Sequence, residues 1–206
     1  MLLPLGFLTG YTTQFGFLHL FEAPVWVKLL LSLLVLDFIA QYSVHYLLHK
    51  VPLLWRLHLV HHTDKMVDAT AGTRHHPLDF ILRETFAFIA VVLMGVAISF
   101  YMFYRILSIA FTYFTHANVS LPTSLDKTLS YVIVTPDMHK FHHHNQLPWT
   151  DSNYGNMFSI WDRLFGTFTY RNVKDIVYGI DIADHTNDES IGVQLGIPFN
   201  KNVKSK

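Results

Sequence analysis

The sequence predicts an all-α fold, with three to four membrane-spanning helices capped by a cytosolic histidine-rich helical domain that holds two metals. Three observations lead there. Charged residues make up only 15% of the 206 positions and hydrophobic ones 51%, whereas a soluble domain carries about 25% charge. Several apolar runs approach the roughly 20 residues that a bilayer crossing needs. The 14 histidines gather in short segments at helical spacing rather than scattering along the chain.

The apolar runs come first in the chain. The clearest spans residues 25 to about 46, "VWVKLLLSLLVLDFIAQYSVHY", with Lys28 near one end. Residues 78–97 and 98–115 form a helical hairpin that turns near positions 95–99 and contains Arg105. Residues 2–21 also lack basic side chains, but Gly6, Gly10, Gly16, Thr12, Thr13 and Gln14 weaken that run, which reads as a fourth span or a re-entrant piece. No Lys or Arg precedes Lys28, so a cleaved signal peptide, which wants a basic start, is not expected.

Sidedness follows from the basic residues. Lys50, Arg56, Lys65, Arg74 and Arg83 all follow the first long helix, and the positive-inside rule assigns that side to the cytoplasm. A hairpin returns the chain to the same face, so residues 117–206 read as a polar cytoplasmic cap ending in "NKNVKSK". The length suits one domain, 1–206, with a core at 36–167 and a cytosolic C-terminal tail at 168–206. All the histidines except His19 and His185 then share one side of a bacterial inner membrane or of the endoplasmic reticulum.

Composition also excludes functions. Lys+Arg and Asp+Glu are 15 each, so no nucleic-acid footprint is present. Without cysteine, disulfides, thiolate zinc sites, iron–sulfur clusters and thiolate-ligated haem are ruled out. Any metal must be bound by imidazole and carboxylate.

The histidine spacing has that form. "HYLLH" sets His45 and His49 four residues apart, on one helical face and one turn apart. "HLVHH" supplies His58, His61 and His62, and "HKFHH" supplies His139, His142 and His143. Both have i, i+3, i+4 spacing, an arc of roughly 100° that can converge on a common point. Thr135, Pro136 and Asp137 give the last segment a helix start. His144 would project about 100° beyond His143 on a continuing helix, off that arc. A pH-sensing patch can also cluster histidines, but it needs no repeated helical spacing on three segments. Eight to ten imidazoles exceed the ligand capacity of one ion, so two metals are expected. Imidazole suits iron, zinc, copper and nickel; iron activates dioxygen, and zinc can occupy such a site in purified protein.

The ordered set "HYLLH", "WRLHLVHH", "RHHPLD", "FTHANVSLP", "TPDMHKFHHH", "DSNYGN" and "WDRLFGT" resembles the fatty acid hydroxylase / sterol desaturase superfamily of membrane di-iron oxygenases. The resemblance implies two irons under a set of membrane helices. Dioxygen and two electrons would hydroxylate or desaturate an unactivated carbon of a lipid, whether sterol, fatty acyl or related. Carried over by position, the metal ligands are His45, His49, His58, His61, His62, His76, His116, His139, His142 and His143; His75 falls at a variable place and is left out. The chain is short for this superfamily, and little precedes its first histidine helix.

Metal-bound imidazoles usually donate their other N–H to a neighbouring acceptor. Asp37, Asp137, Asp151 and Asp162, with Asn118 and Asn153 as neutral partners, are candidates. An acid inside an apolar helix is costly, and Asp37, Gln41, His45 and His49 are spaced by four, which would continue the ligand face into the membrane and make Asp37 either a partner of the ligands or a helix-packing group. No Gly-rich dinucleotide fingerprint or fused haem domain is visible, so a separate electron-transfer protein is implied, a b-type cytochrome or a ferredoxin-like protein with its reductase. Two other classes of function use clustered histidines. A metal transporter places its ligands near mid-membrane, and a zinc-dependent hydrolase needs fewer ligands and an open position.

Overall fold

The computed structural model describes residues 15–171, 176–179, 190–201 and 203, and these are helical, with one isolated bridge between Ile133 and Phe158. The first helix, α1 (Val25–Lys50), has 26 residues, and its most apolar 18-residue stretch has a mean hydropathy of 1.7. Its middle, Asp37–Ser43, is π-helical. At Val51 the backbone is extended, and Pro52 opens α2 (Pro52–His62), where proline's missing N–H costs no hydrogen bond.

Two helices then form the expected hairpin, α3 (Pro77–Met94) and α4 (Ile98–His116). Gly95 turns it with φ 66°, a left-handed conformation that a residue with a Cβ adopts only at a cost. Helices α1, α3 and α4 share a core in which Leu36, Ala40, Ala87, Ala90, Val91 and Tyr104 are buried. Their outward faces are also apolar, with Trp26, Leu30, Phe80, Ile81, Leu93 and Ile106 exposed.

Among the described residues, α1 is the one helix long and apolar enough to cross a membrane by itself. The hairpin helices have 18 and 19 residues, near the length that a bilayer requires, but they carry Asp79, Arg83, Glu84 and Arg105. The run at 2–21 lies mostly outside the described residues.

The cap comprises α5 (Thr123–Leu129), α6 (Pro136–His142) and α7 (Ile160–Leu164). Helix α6 starts as its sequence predicts: the Thr135 hydroxyl accepts from the Met138 amide at 3.4 Å, and Pro136 follows. The last described segment, α8 (Ile191–Gly196) with the turn Ile197–Phe199, is more than a polar tail. Ile197 and Val203 are buried against Trp55, Leu59 and Val60 of α2. Arg56 donates to the carbonyls of Pro198 at 2.7 Å and Val203 at 3.1 Å, and also to that of Asn200. The chain end is thereby strapped to the back of a histidine helix.

Candidate metal centre

Helices α1, α2, α4 and α6 bring nine of the ten expected ligands into two adjacent groups. His45, His49, His58, His62 and His142 form one; His61, His116, His139 and His143 form the other. Within each group the ring nitrogens lie within 4.8 Å of one another, and all nine residues are buried.

The partition corrects one expectation. Neither triplet converges on a single point. In α2 the i, i+4 pair His58 and His62 joins the first group, while the odd member His61 crosses to the second. The α6 box does the reverse: His139 and His143 stay in the second group and His142 crosses to the first. On a helix, positions i and i+4 are about 40° apart, whereas i+3 lies about 60° to the other side. Two facing triplets can therefore exchange their odd members. His45 and His49 complete one group and His116 the other.

The outward ring atoms are fixed by oxygen acceptors. Nδ1 of His45 donates to the Tyr154 carbonyl at 2.9 Å, His61 to that of Ala71 at 3.0 Å, His116 to that of Thr112 at 2.8 Å and His142 to that of Ser152 at 2.6 Å. A carbonyl only accepts, so in each ring Nδ1 carries the proton and Nε2 presents a lone pair inward. His58 Nδ1 meets Asp79 at 2.7 Å and His49 Nδ1 meets Asp151 at 3.4 Å. Gly72 allows the 71–73 turn to approach α4, since a Cβ there would lie 2.8 Å from Thr112 Cγ2 and 3.2 Å from His116 Nδ1.

The inward atoms fit a cation. Nε2 of His45 and both ring nitrogens of His62 are buried with no hydrogen-bond partner. Nε2 of His116 lies 3.0 Å from that of His139 and 3.3 Å from those of His61 and His143, the spacing of nitrogens that share one ion at about 2.1 Å. Burial, reinforced by neighbouring imidazoles, holds His61, His62, His139 and His143 well below the usual histidine range. The rings stay neutral, as ligation requires.

The outer residues sort differently from expectation. Asp151 reaches His49 and also binds Lys50 at 2.9 Å. Asp162 accepts from the amides of Tyr154 and Gly155 at 2.7 and 2.9 Å, fixing the loop whose carbonyl holds His45. Asn153, at φ 55°, ties that loop to the Met138 carbonyl and to Thr169. Asp37 does not continue the ligand face. The π-helical segment turns it toward the Met157 and Phe158 amides at 3.2 Å and the Trp161 indole at 3.0 Å. Asp137 pairs with Lys140 at 3.6 Å, and Asn118 is exposed; neither meets a ring. His76 stands outside both groups, because its Nδ1 accepts the Leu78 amide at 3.1 Å as the cap of α3.

Two residues at the site, Asp79 and His75, were not among the sequence candidates. Asp79 holds His58 on one oxygen and accepts from Arg83 at 2.8 Å on the other. The signal was available, since Asp79 is an acid in an apolar helix four residues before an arginine. His75 stacks on His61, with ring centroids 4.4 Å apart, and lies with His58 and Asp79.

Beside the two groups lies a cavity of about 420 Å³. His45, His61, His116 and His139 reach it from one side, and Phe80, Arg83, Glu84, Arg105, Ile109 and Tyr113 line it from the hairpin. A hydrogen-bonded chain runs along its wall: Arg83 to Gln41 at 3.3 Å, Gln41 to Ser108 at 3.2 Å, Asn156 to Ser108 at 2.9 Å, and Thr112 to Asn156 at 3.2 Å.

Residues 29–167 match the family model described as fatty acid hydroxylase. The chain is 29% identical to the ornithine lipid hydroxylase OlsE of Rhizobium tropici over 70% of its length and 43% of that protein's. It is 26% identical to the alkylglycerol monooxygenase of Homo sapiens over 84% of its length and 38% of that protein's. It is 32% identical to a cholesterol 25-hydroxylase-like protein of Danio rerio over 81% of its length and 66% of that protein's. The chain thus matches less than half the length of the first two relatives. No solved structure matches.

Proposed function

Since the chain belongs to the fatty acid hydroxylase family, we propose that it is a membrane lipid oxygenase that hydroxylates, or as a sibling reaction desaturates, an unactivated C–H position of a lipid. The observation that carries this reading is the division of nine buried imidazoles into two adjacent groups, four of them held by carbonyls with the Nε2 lone pair facing inward. The relatives carry names of lipid hydroxylases and monooxygenases, which supports a lipid substrate.

Iron is the metal proposed for both groups, His45, His49, His58, His62 and His142 for one and His61, His116, His139 and His143 for the other. Two irons there would supply dioxygen activation, with one oxygen atom going to carbon and the other to water at the expense of two electrons and two protons. The residues of the chain prepare that chemistry. Tyr154, Ala71, Thr112 and Ser152 offer carbonyls that keep four rings in the tautomer whose Nε2 faces inward. Asp79 and Asp151 supply negative charge behind His58 and His49, buffering a site otherwise made of neutral ligands. The electrons come from a separate carrier. The basic residues Lys50, Arg56 and Arg74 at the histidine end support a cytoplasmic side for that end, with α1 and the hairpin proposed to lie in the bilayer as a multi-pass unit.

Metal analysis of anaerobically prepared protein, followed by reaction with isotopic dioxygen, tests the reading. About two irons per chain are expected, one for each group, and labelled oxygen retained on lipid carbon means hydroxylation. Activity in a metal-free protein would refute it.

A further inference from the structure

The cavity next to the metal groups sets charged side chains into a mainly apolar lining. Its hairpin wall carries Arg83, Glu84 and Arg105. Arg105 and Glu84 are paired at 2.6 Å, with side chains 27% and 15% exposed. Arg83 is occupied by Asp79 and Gln41, so it belongs to the hydrogen-bonded wall that ends at His116 through Thr112. The Arg105–Glu84 pair lies outside that chain of bonds and faces the cavity with one cation and one anion side by side. Charged side chains in a membrane-facing hairpin are costly and usually serve a ligand.

We propose that this pair binds the headgroup of a zwitterionic lipid, the Arg105 guanidinium taking the lipid's anionic group and the Glu84 carboxylate its ammonium. The proposal rests on the oxygenase reading and adds the substrate class to it. The exposed Phe80, Ile109 and Tyr113 at the cavity rim offer the acyl chains a path back to the bilayer. Arg105 stands three turns of α4 from His116, about 16 Å, and Glu84 stands closer to the histidine end of α3 than to its far end.

Lipid retention by the purified full chain, reconstituted with defined lipids and prepared metal-free, tests the headgroup site without relying on turnover. A phosphatidylethanolamine should be retained better than a diacylglycerol with the same acyl chains. Glu84→Gln and Arg105→Gln should each weaken that preference about tenfold, the scale of a lost charge-assisted hydrogen bond. The exchanged pair, Glu84→Arg with Arg105→Glu, keeps the hairpin fastened while reversing the charges. Loss of preference in it as well separates headgroup binding from folding. Equal retention of both lipids by the wild type, or an unaltered preference in the single variants, would overturn the proposal. Isotopic oxygen on lipid carbon in the iron-loaded protein tests the oxygenase reading separately: labelled product without a headgroup preference leaves that reading standing and removes this one.

Discussion

Asp79→Asn is the sharpest test of how the metal centre is held. The carboxylate has two jobs at once, accepting from His58 Nδ1 at 2.7 Å and from Arg83 Nε at 2.8 Å. An amide of the same shape has one oxygen for two donors, so either His58 or Arg83 faces an N–H. His58 then loses both the acceptor that orients its ring and the charge that raises its basicity. Changes to such partners typically cost 10- to 100-fold in metal affinity, about 1.4 to 2.7 kcal/mol. Only one group contains His58, so the loss should fall on one equivalent. The assay is a competition titration of metal-free protein with iron or zinc against a chelator of known affinity, with circular dichroism as the check on folding. One equivalent should weaken by 10- to 100-fold and the other should hold. Both equivalents weakened alike would refute the partition, and two equivalents bound as in the wild type would refute the part given to Asp79.

Three further outcomes can be measured. His143→Ala should retain the metal of the His45 group and lose the other, His142→Ala should do the reverse, and His144→Ala should keep both, since His144 belongs to neither group; metal content per chain reads this directly. Burial lowers His61, His62, His139 and His143 below their unfolded values, so on acidification the unfolded chain takes up protons first. Metal-free protein should hold its full stability above about pH 6.5 and lose it progressively below, and a Tm that is flat across that range would contradict the assignment. Arg56→Ala removes the donor to three carbonyls of the chain end, each such charged bond being worth about 1.5 to 3 kcal/mol before compensation. Limited proteolysis should then cut between residues 190 and 203 much faster than in the wild type, and unchanged cleavage would show that the apolar contacts suffice.

What the sequence made legible is local. The boxes announce themselves because ligands one turn apart must recur at i, i+3 and i+4, and Thr135 with Pro136 marks the start of α6. Gly95 marks the hairpin turn. The exchange of His61 and His142 between groups is not local, because it depends on how α2 and α6 face each other. The carbonyls of Ala71, Thr112, Ser152 and Tyr154 carry no side-chain signal at all. His76, placed among the ligands by the resemblance alone, stands outside both groups, and its Nδ1 takes the Leu78 amide at 3.1 Å, a contact that its sequence position does not announce. The strap formed by Ile197, Val203 and Arg56 was hidden by the polar residues around it.

The π-helical stretch Asp37–Ser43 has a consequence for changes in chain length. Such a segment amounts to an α-helix with one residue too many, and here that residue lets two unrelated jobs share one rod. Above it, Asp37 is keyed to the loop at 157–161; below it, His45 and His49 are keyed to the metal groups. Deleting one residue there removes the surplus and returns the waist to ordinary geometry with both halves still in register, whereas adding another would swing one half by about 100° relative to the other. In the lengthened helix either the anchor or the ligands would be lost. This helix should therefore accept many substitutions on its outer face and a single deletion at its waist while tolerating no lengthening there, which makes insertion and deletion scanning, rather than point mutation, the natural probe of how its two halves are coupled.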